Sequence, residues 1–77
     1  MIQKYTVTAQ GERRLDIVGR ISMLFLQRHI DVESLTYQPV EGMVSRYQVC
    51  ALAKEETIIK VVAQMKHIEG LTEISYE

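Results

Sequence analysis

The side chains that most often perform chemistry are few in this sequence and lie far apart. His29, Cys50 and His67 fall in different segments, and no two of them have the spacing of metal ligands. No serine stands in the G-x-S-x-G arrangement of a hydrolase nucleophile, and no neighbour in the sequence is expected to lower the pKa of the Cys50 thiol. The four glycines stand singly, so there is no phosphate-binding loop. The sequence therefore predicts no catalytic residue, no metal site and no cofactor.

Composition narrows the classes of function further. Lysine and arginine total 9 against 10 aspartate and glutamate residues, and this net charge of −1 argues against a nucleic-acid partner, whose phosphates require an excess of positive charge. No run approaches the roughly 18 apolar residues of a membrane span, and the N-terminus lacks the pattern of a secretion signal. One cysteine cannot form an internal disulfide. We therefore expect a single domain, residues 1–77, in the reducing cytoplasm.

The elements that must position any site begin with a strand, a turn and a helix. Residues 2–9 alternate in polarity, as in a half-buried strand, and the polar segment from Gln10 to Arg14 predicts a turn. From Leu15 to His29 apolar residues recur with the period of a helix. The residues expected to face the core are Ile17, Val18, Ile21, Leu24 and Phe25.

The second half of the chain repeats this order after a hairpin. Residues 31–40 are rich in strand-forming residues, and Pro39 and Gly42 predict the turn to a further strand at residues 45–52. A second helix is expected to start at Glu55 and to end at Gly70. Its predicted core residues are Ile58, Val61, Val62, Met65 and Ile68.

Two further expectations concern the ends of the helices and the last strand. His29 and His67 are each expected in the last turn of a helix, where a protonated imidazole interacts favourably with the helix dipole. Residues 71–76 predict a short closing strand. Its alternation assigns one face to Leu71, Glu73 and Ser75.

The predicted order, βαββαβ, limits the fold. Because crossovers within one sheet are right-handed, this order predicts an α+β, ferredoxin-like fold with a four-stranded antiparallel sheet and both helices on one face. RNA-binding domains of this topology stack bases on aromatic residues of the open face. Here the one aromatic residue of the third strand, Tyr47, shares its face with core residues. We therefore expect no stacking platform for RNA.

Three apolar residues of the first helix project away from its predicted core face. On the helical period, Leu15 and Leu26 lie near the opposite side, and Met23 lies not far from them. Single exposed aliphatic residues are common, but three that share a face favour a contact surface. The sequence therefore predicts a subunit interface at Leu15, Met23 and Leu26.

The first helix and the hairpin together resemble a known family. The run GRISMLFLQRHIDVESL, followed by VSRYQV, resembles the ACT domain of acetohydroxyacid synthase (acetolactate synthase) small regulatory subunits, in which a segment like RVAxLFxRRGxNIxSL precedes a hairpin and SRxTI. The matching residues are Arg20, Leu24, Phe25, Arg28, Glu33, Ser34 and Leu35, then Ser45 and Arg46, then Gln64 ahead of Ile68.

The resemblance implies both an assembly and a role. It implies a homodimer in which two sheets join edge to edge with their first helices adjacent. It also implies a regulatory small subunit that binds and activates a separate, thiamine-diphosphate-dependent catalytic large subunit in the synthesis of branched-chain amino acids. The chain itself would then perform no chemistry.

The loop after the first strand departs from the family's pattern. Regulated members carry N-x-P-G-V-L there, where Asn and the backbone near Gly hold a feedback amino acid, and an Asn before the second strand completes the site across the dimer. If an effector site is retained here, the resemblance assigns it to Arg13, Asp16, Ile17, Val18 and Asp31.

The changed residues alter the expected chemistry of that site. Asp16 is expected to cap the N-terminal amides of the helix and to repel a ligand carboxylate, whereas Arg13 offers a guanidinium that binds a carboxylate as a fork. Valine sensing is therefore expected to be lost or weak. The chain ends at Glu77. This short, ACT-only form resembles the small subunits of valine-insensitive isozymes.

Two alternatives remain at this point. One is a free-standing ACT-type sensor that binds an amino acid and regulates another enzyme. The other is a small enzyme on the same fold, such as an acylphosphatase-like hydrolase, which uses an arginine after the first strand. Arg13 or Arg14 stands at that position.

Overall fold

The computed structural model describes all 77 residues and contains the six elements in the predicted order. Because each change of hydrophobic period falls where expected, the types of all six elements are confirmed. Their bounds are β1 Gln3–Glu12, α1 Leu15–Gln27, β2 Asp31–Pro39, β3 Val44–Ala53, α2 Glu55–Met65 and β4 Leu71–Tyr76.

The four strands form one sheet in the order β2-β3-β1-β4, and every neighbouring pair is antiparallel. β1 and β3 occupy the centre, so β2 and β4 each present an unpaired edge. Both helices pack on the same face of the sheet and bury the core against it. The predicted ferredoxin-like fold is therefore confirmed, and the other face of the sheet is open.

The core lies between the helices and the inner face of the sheet, and it contains the predicted residues. In α1, Ile17, Ile21 and Phe25 are buried, whereas Val18 and Leu24 pack against them partly exposed. Tyr47 is 1% exposed, which confirms that its side chain points inwards. The other buried positions include Tyr5, Val7, Ala9, Val49, Ala51, Ile58, Val61, Val62 and Met65, with Ile68 partly buried beside them.

β1 is longer than predicted, because Gly11 continues the strand. A β-carbon at Gly11 would overlap the carbonyl oxygen of Gly70 and lie 2.8 Å from the α-carbon of Leu71. The N–H of Glu12 donates to the same Gly70 oxygen at 2.9 Å. Glycine is therefore required by the close approach of two backbones rather than by a turn, and the predicted turn shrinks to residues 13–14.

A bulge beside Gly11 changes the face on which Leu71 lies. The register between β1 and β4 shifts between Gln10 and Gly11. The prediction that Leu71 shares a face with Glu73 and Ser75 is therefore wrong. Leu71 packs instead against the core, as do Ile74 and Tyr76.

α1 ends earlier than predicted, at Gln27, and His29 follows it in the left-handed conformation with φ of 54°. The N–H of His29 donates to the Leu26 carbonyl at 3.0 Å, and that of Ile30 donates to the Phe25 carbonyl at 3.1 Å. This pairing is a Schellman motif. His29 therefore closes the helix from outside, and the prediction that it lies in the last turn is wrong.

α2 also ends earlier than predicted, at Met65. His67 therefore lies beyond the helix rather than in its last turn. Gly70, with φ of 102°, belongs to the turn that leads into β4 and does not cap the helix. Consecutive short turns separate the end of α2 from Gly70. In one of them the N–H of Ile68 donates to the Met65 carbonyl at 3.0 Å.

We expect Gly11→Ala to lower the free energy of unfolding by about 1–3 kcal/mol, because the added methyl group forces β1 away from the turn before β4. Urea unfolding followed by circular dichroism measures the change. Gly19→Ala is the matched control, since no atom lies within 4 Å of a β-carbon there. Equal stability of the Gly11 variant and the wild type would contradict the close approach.

Candidate functional site

The candidate site is the turn between β1 and α1, and the hydroxyl of a buried tyrosine holds this turn in place. Tyr47 Oη donates to the Glu12 carbonyl at 2.6 Å and accepts from the N–H of Arg14 at 3.3 Å. The low exposure of Tyr47 shields both bonds from water, which strengthens them. Because Tyr47 belongs to β3, the sheet fixes the point at which α1 begins.

Two hydrogen bonds join Arg14 to Asp16 in the first turn of α1. Arg14 Nη2 lies 2.8 Å from Asp16 Oδ2, and Arg14 Nε lies 3.1 Å from Asp16 Oδ1. Arg20 Nε approaches the same carboxylate at 3.4 Å, and Glu12 Oε2 accepts from Arg14 Nη1 at 3.3 Å. No side chain caps the N-terminus of α1, so the prediction that Asp16 caps it is wrong. The carboxylate turns to Arg14 because a two-point, charge-assisted fork is the stronger contact.

These contacts shift the pKa values of both partners. Hydrogen bonding to Arg14 lowers the pKa of the Asp16 carboxyl, and hydrogen bonding to Asp16 and then to Glu12 raises the pKa of the Arg14 guanidinium. Because the pKa of Asp16 is lower in the folded state, the pairing stabilises the fold above the unfolded-state pKa of about 4. This contribution is lost as the pH falls through the folded-state pKa. It is small, because the side chains are exposed to solvent.

Arg13, which the sequence suggested as a carboxylate fork, is bound to the hairpin between β2 and β3. Its Nη2 donates to the Gly42 carbonyl at 2.6 Å, and its backbone N–H donates to the Met43 carbonyl at 2.8 Å. The fork is made by its neighbour Arg14. The spacing Arg-x-Asp, together with Arg20 four residues beyond Asp16, was the sequence signal for this cluster.

The remaining predicted effector residues lie in two places. Ile17 is buried and Val18 is partly buried against the core, so both offer a ligand mainly their backbone groups. Asp31 is exposed at the first residue of β2, whereas the hairpin that binds Arg13 follows the other end of that strand. A strand of 9 residues is about 30 Å long. A single chain therefore does not bring Asp31 to the other positions.

The three predicted interface residues are exposed, but they border different grooves. Leu15, Met23 and Leu26 are 72%, 52% and 65% exposed. Leu26 borders the α1–β2 groove, an apolar groove of about 260 Å³ that also contacts Val32 and Leu35. Met23 borders a second groove, between α1 and α2, and Leu15 borders neither.

Cys50 lies on the open face of the sheet between two hydroxyl groups. It pairs with Ser34 of β2 and Thr6 of β1, and Thr6 Oγ1 lies 3.7 Å from its sulfur. Hydrogen bonding with Ser34, and then with Thr6, lowers the pKa of the thiol. No neighbour in the sequence lowers this pKa; the strand register brings together hydroxyls that are distant in sequence.

The cluster at the start of α1 is charged, but its arginines Arg13 and Arg14 are not free to bind an anion. Arg14 is occupied by Glu12 and Asp16, and Arg13 by the hairpin, so neither offers the open arginine that an acylphosphatase-like hydrolase requires. No group of three His, Cys, Asp or Glu side chains is placed to hold a metal ion. Neither helix is long and apolar enough to cross a membrane.

No protein-family model matches the chain, and no curated protein matches it. Solved structures are similar in fold. The ACT domain of a GTP pyrophosphokinase from Chlorobium tepidum has a TM-score of 0.84 at 5% identity, over 100% of both chains. An acetolactate synthase small subunit from Thermotoga maritima has a TM-score of 0.81 at 16% identity, over 96% of this chain and 47% of that one. A homoserine dehydrogenase from Thiobacillus denitrificans has a TM-score of 0.79 at 9% identity, over 99% of this chain and 17% of that one.

These similarities show that the chain has the fold of ACT domains. It spans less than half of the acetolactate synthase small subunit that it resembles in structure. At such low identities the likeness concerns the path of the backbone, and the side chains of the site differ from protein to protein.

We expect the Asp16 carboxyl to titrate below its usual pKa of about 4, and Arg14→Ala to raise its pKa towards that value by removing the fork. The carbonyl chemical shift of Asp16, followed by NMR against pH, measures both values. Arg13→Ala is the matched control, because its guanidinium binds the hairpin. An equal shift in the two variants would contradict the assignment of the fork to Arg14.

We expect Tyr47→Phe to lower the free energy of unfolding by about 1–2 kcal/mol, since it removes the hydrogen bonds that the Tyr47 hydroxyl makes to the Glu12 carbonyl and the Arg14 N–H. Tyr37→Phe is the control, because its ring packs on Tyr47 with centroids 5.3 Å apart and its hydroxyl makes no hydrogen bond within the chain. Chemical denaturation compares the two variants. Equal losses would mean that the Tyr47 hydroxyl does not anchor the turn.

Proposed function

We propose that this chain is a non-catalytic regulatory subunit that binds and activates the catalytic subunit of an acetolactate synthase in branched-chain amino acid biosynthesis. In this proposal residues 1–77 act as one ACT-like domain, in the cytoplasm. The observation that carries it is a contact between two residues of the family resemblance. Arg28 Nε donates to Gln64 Oε1 at 2.8 Å and so ties the end of α1 to α2, although the two lie far apart in sequence.

A homodimer through the β2 edge accompanies this role. All residues of β2 except Leu35 and Tyr37 are exposed, and the apolar α1–β2 groove lies beside this edge strand. An edge strand next to an apolar groove suits a strand and a helix of a second copy. In an antiparallel pair, the start of one β2 lies beside the end of the other. The partner's Asp31 would then approach the hairpin that Arg13 binds.

The proposed site responds weakly or not at all to valine. An effector carboxylate needs cationic or N–H donors, and Arg14 already gives its fork to Asp16. A free amino acid would have to displace the carboxylate of Asp16, which the chain itself holds against Arg14. This internal competition supports the proposed insensitivity independently of charge repulsion.

We expect the chain to co-migrate with the catalytic subunit of an acetolactate synthase and to raise its activity, because activation by a small subunit requires a stable complex. Size-exclusion chromatography and an acetolactate assay with increasing amounts of the chain measure the two effects. An unrelated ferredoxin-like domain is the control. Neither co-migration nor any change in activity would contradict the proposed function.

Calorimetry with the proteinogenic amino acids distinguishes the proposed function from the alternative, a free-standing amino-acid sensor. It is carried out beside the synthase experiment. The proposed function predicts no saturable binding of valine to the wild-type chain. Asp16→Gly removes the carboxylate that holds the Arg14 fork, so this variant is the positive comparison. Saturable binding to the wild-type chain without any effect on the synthase would favour the sensor.

A further inference from the structure

The α1–α2 groove is the largest concave surface of the molecule, and it adjoins the candidate site at Asp16. It is an open groove of about 730 Å³, with Gly19, Met23 and Leu24 on the α1 side and Gln64 and Ile68 on the α2 side. None of the α1 residues that line it also lines the α1–β2 groove. The two grooves therefore lie on different sides of α1 and can be filled at the same time.

Gly19 lines the groove at a position where a glycine is unusual. It stands in the middle of a helix of 13 residues, where glycine is less stable than alanine. Apart from the nearby backbone of its own helix, nothing lies within 4 Å of a β-carbon at this position, so no tertiary contact requires the glycine. A glycine on a helix surface lets another helix approach closely, since the distance between packed helices depends on the side chains at the contact. Glycine makes the helix less stable than alanine would, and this cost points to a contact with another chain.

The charges along the groove indicate the kind of partner. At one end, Arg20 contacts Asp16 at 3.4 Å, and together with Arg14 and Glu12 these residues form a cluster without net charge. Arg28, beside the groove, donates to Gln64 and has no carboxylate partner. An apolar stripe with acidic residues at the Arg28 end complements this surface, and an amphipathic helix presents both on one side.

We infer that the α1–α2 groove is the docking surface for an amphipathic helix, with acidic residues beside its apolar stripe, carried by the catalytic partner. This inference rests on the proposed function and adds where the partner binds. The partner's helix lies between α1 and α2, closest to α1 at Gly19. A second copy of the chain occupies the β2 edge instead, so the dimer and the docked partner coexist.

The test measures the affinity of the chain for the catalytic subunit of an acetolactate synthase by biolayer interferometry, together with urea unfolding and light scattering. Gly19→Leu fills the floor of the groove, and we expect it to weaken binding at least tenfold while the dimer and the fold are kept. Ala63→Leu adds a leucine at an exposed site of α2 outside the groove and should change affinity less than twofold. Gly19→Ala should lower the unfolding constant roughly two- to fivefold and still weaken binding.

The outcomes separate this inference from the proposed function. A wild-type chain that does not bind the catalytic subunit overturns the proposed function, and this inference with it. A wild-type chain that binds, with Gly19→Leu binding equally well, overturns this inference alone. Conversion of Gly19→Leu from a dimer to a monomer would show that a second copy fills the groove, which also overturns it.

Discussion

The position of the candidate site depends on one buried hydrogen-bonding group, the hydroxyl of Tyr47. Its ring belongs to the core, and its oxygen satisfies the Glu12 carbonyl and the Arg14 N–H at the point where the chain leaves the sheet. Two hydrogen bonds to one hydroxyl of the core hold both backbone groups in place, so this turn has little freedom to move. The cluster of Arg14 and Asp16 is therefore placed from inside the core, although its own side chains are exposed.

α1 is the element that every proposed contact shares. One side of it is buried on the sheet, a second side borders the α1–β2 groove, and a third borders the α1–α2 groove. A helix in a two-layer fold has this many free sides only because both helices lie on one face of the sheet. The same geometry leaves β2 and β4 as open edges. A small domain of this kind has much of its surface available to other chains.

The cluster at the start of α1 differs in kind from an empty binding site. Glu12 and Asp16 surround Arg14, and Arg13 is turned away to the hairpin. The chain thus supplies its own anions to Arg14. The likeness to the ACT domain of a GTP pyrophosphokinase concerns the backbone, and it leaves such local chemistry open.

The sequence by itself determined the order and type of the elements and the core faces of both helices, because periods of 2 and 3.6 are local properties that burial enforces. It also predicted that Leu15, Met23 and Leu26 lie on the surface. Only the tertiary structure decided the partners of Arg13 and Cys50 and the face of Leu71. These depend on register, on a bulge and on the approach of Gly11 to Gly70, which join residues that are distant in sequence. His29 was missed for a related reason, since a left-handed helix end is usually marked by glycine.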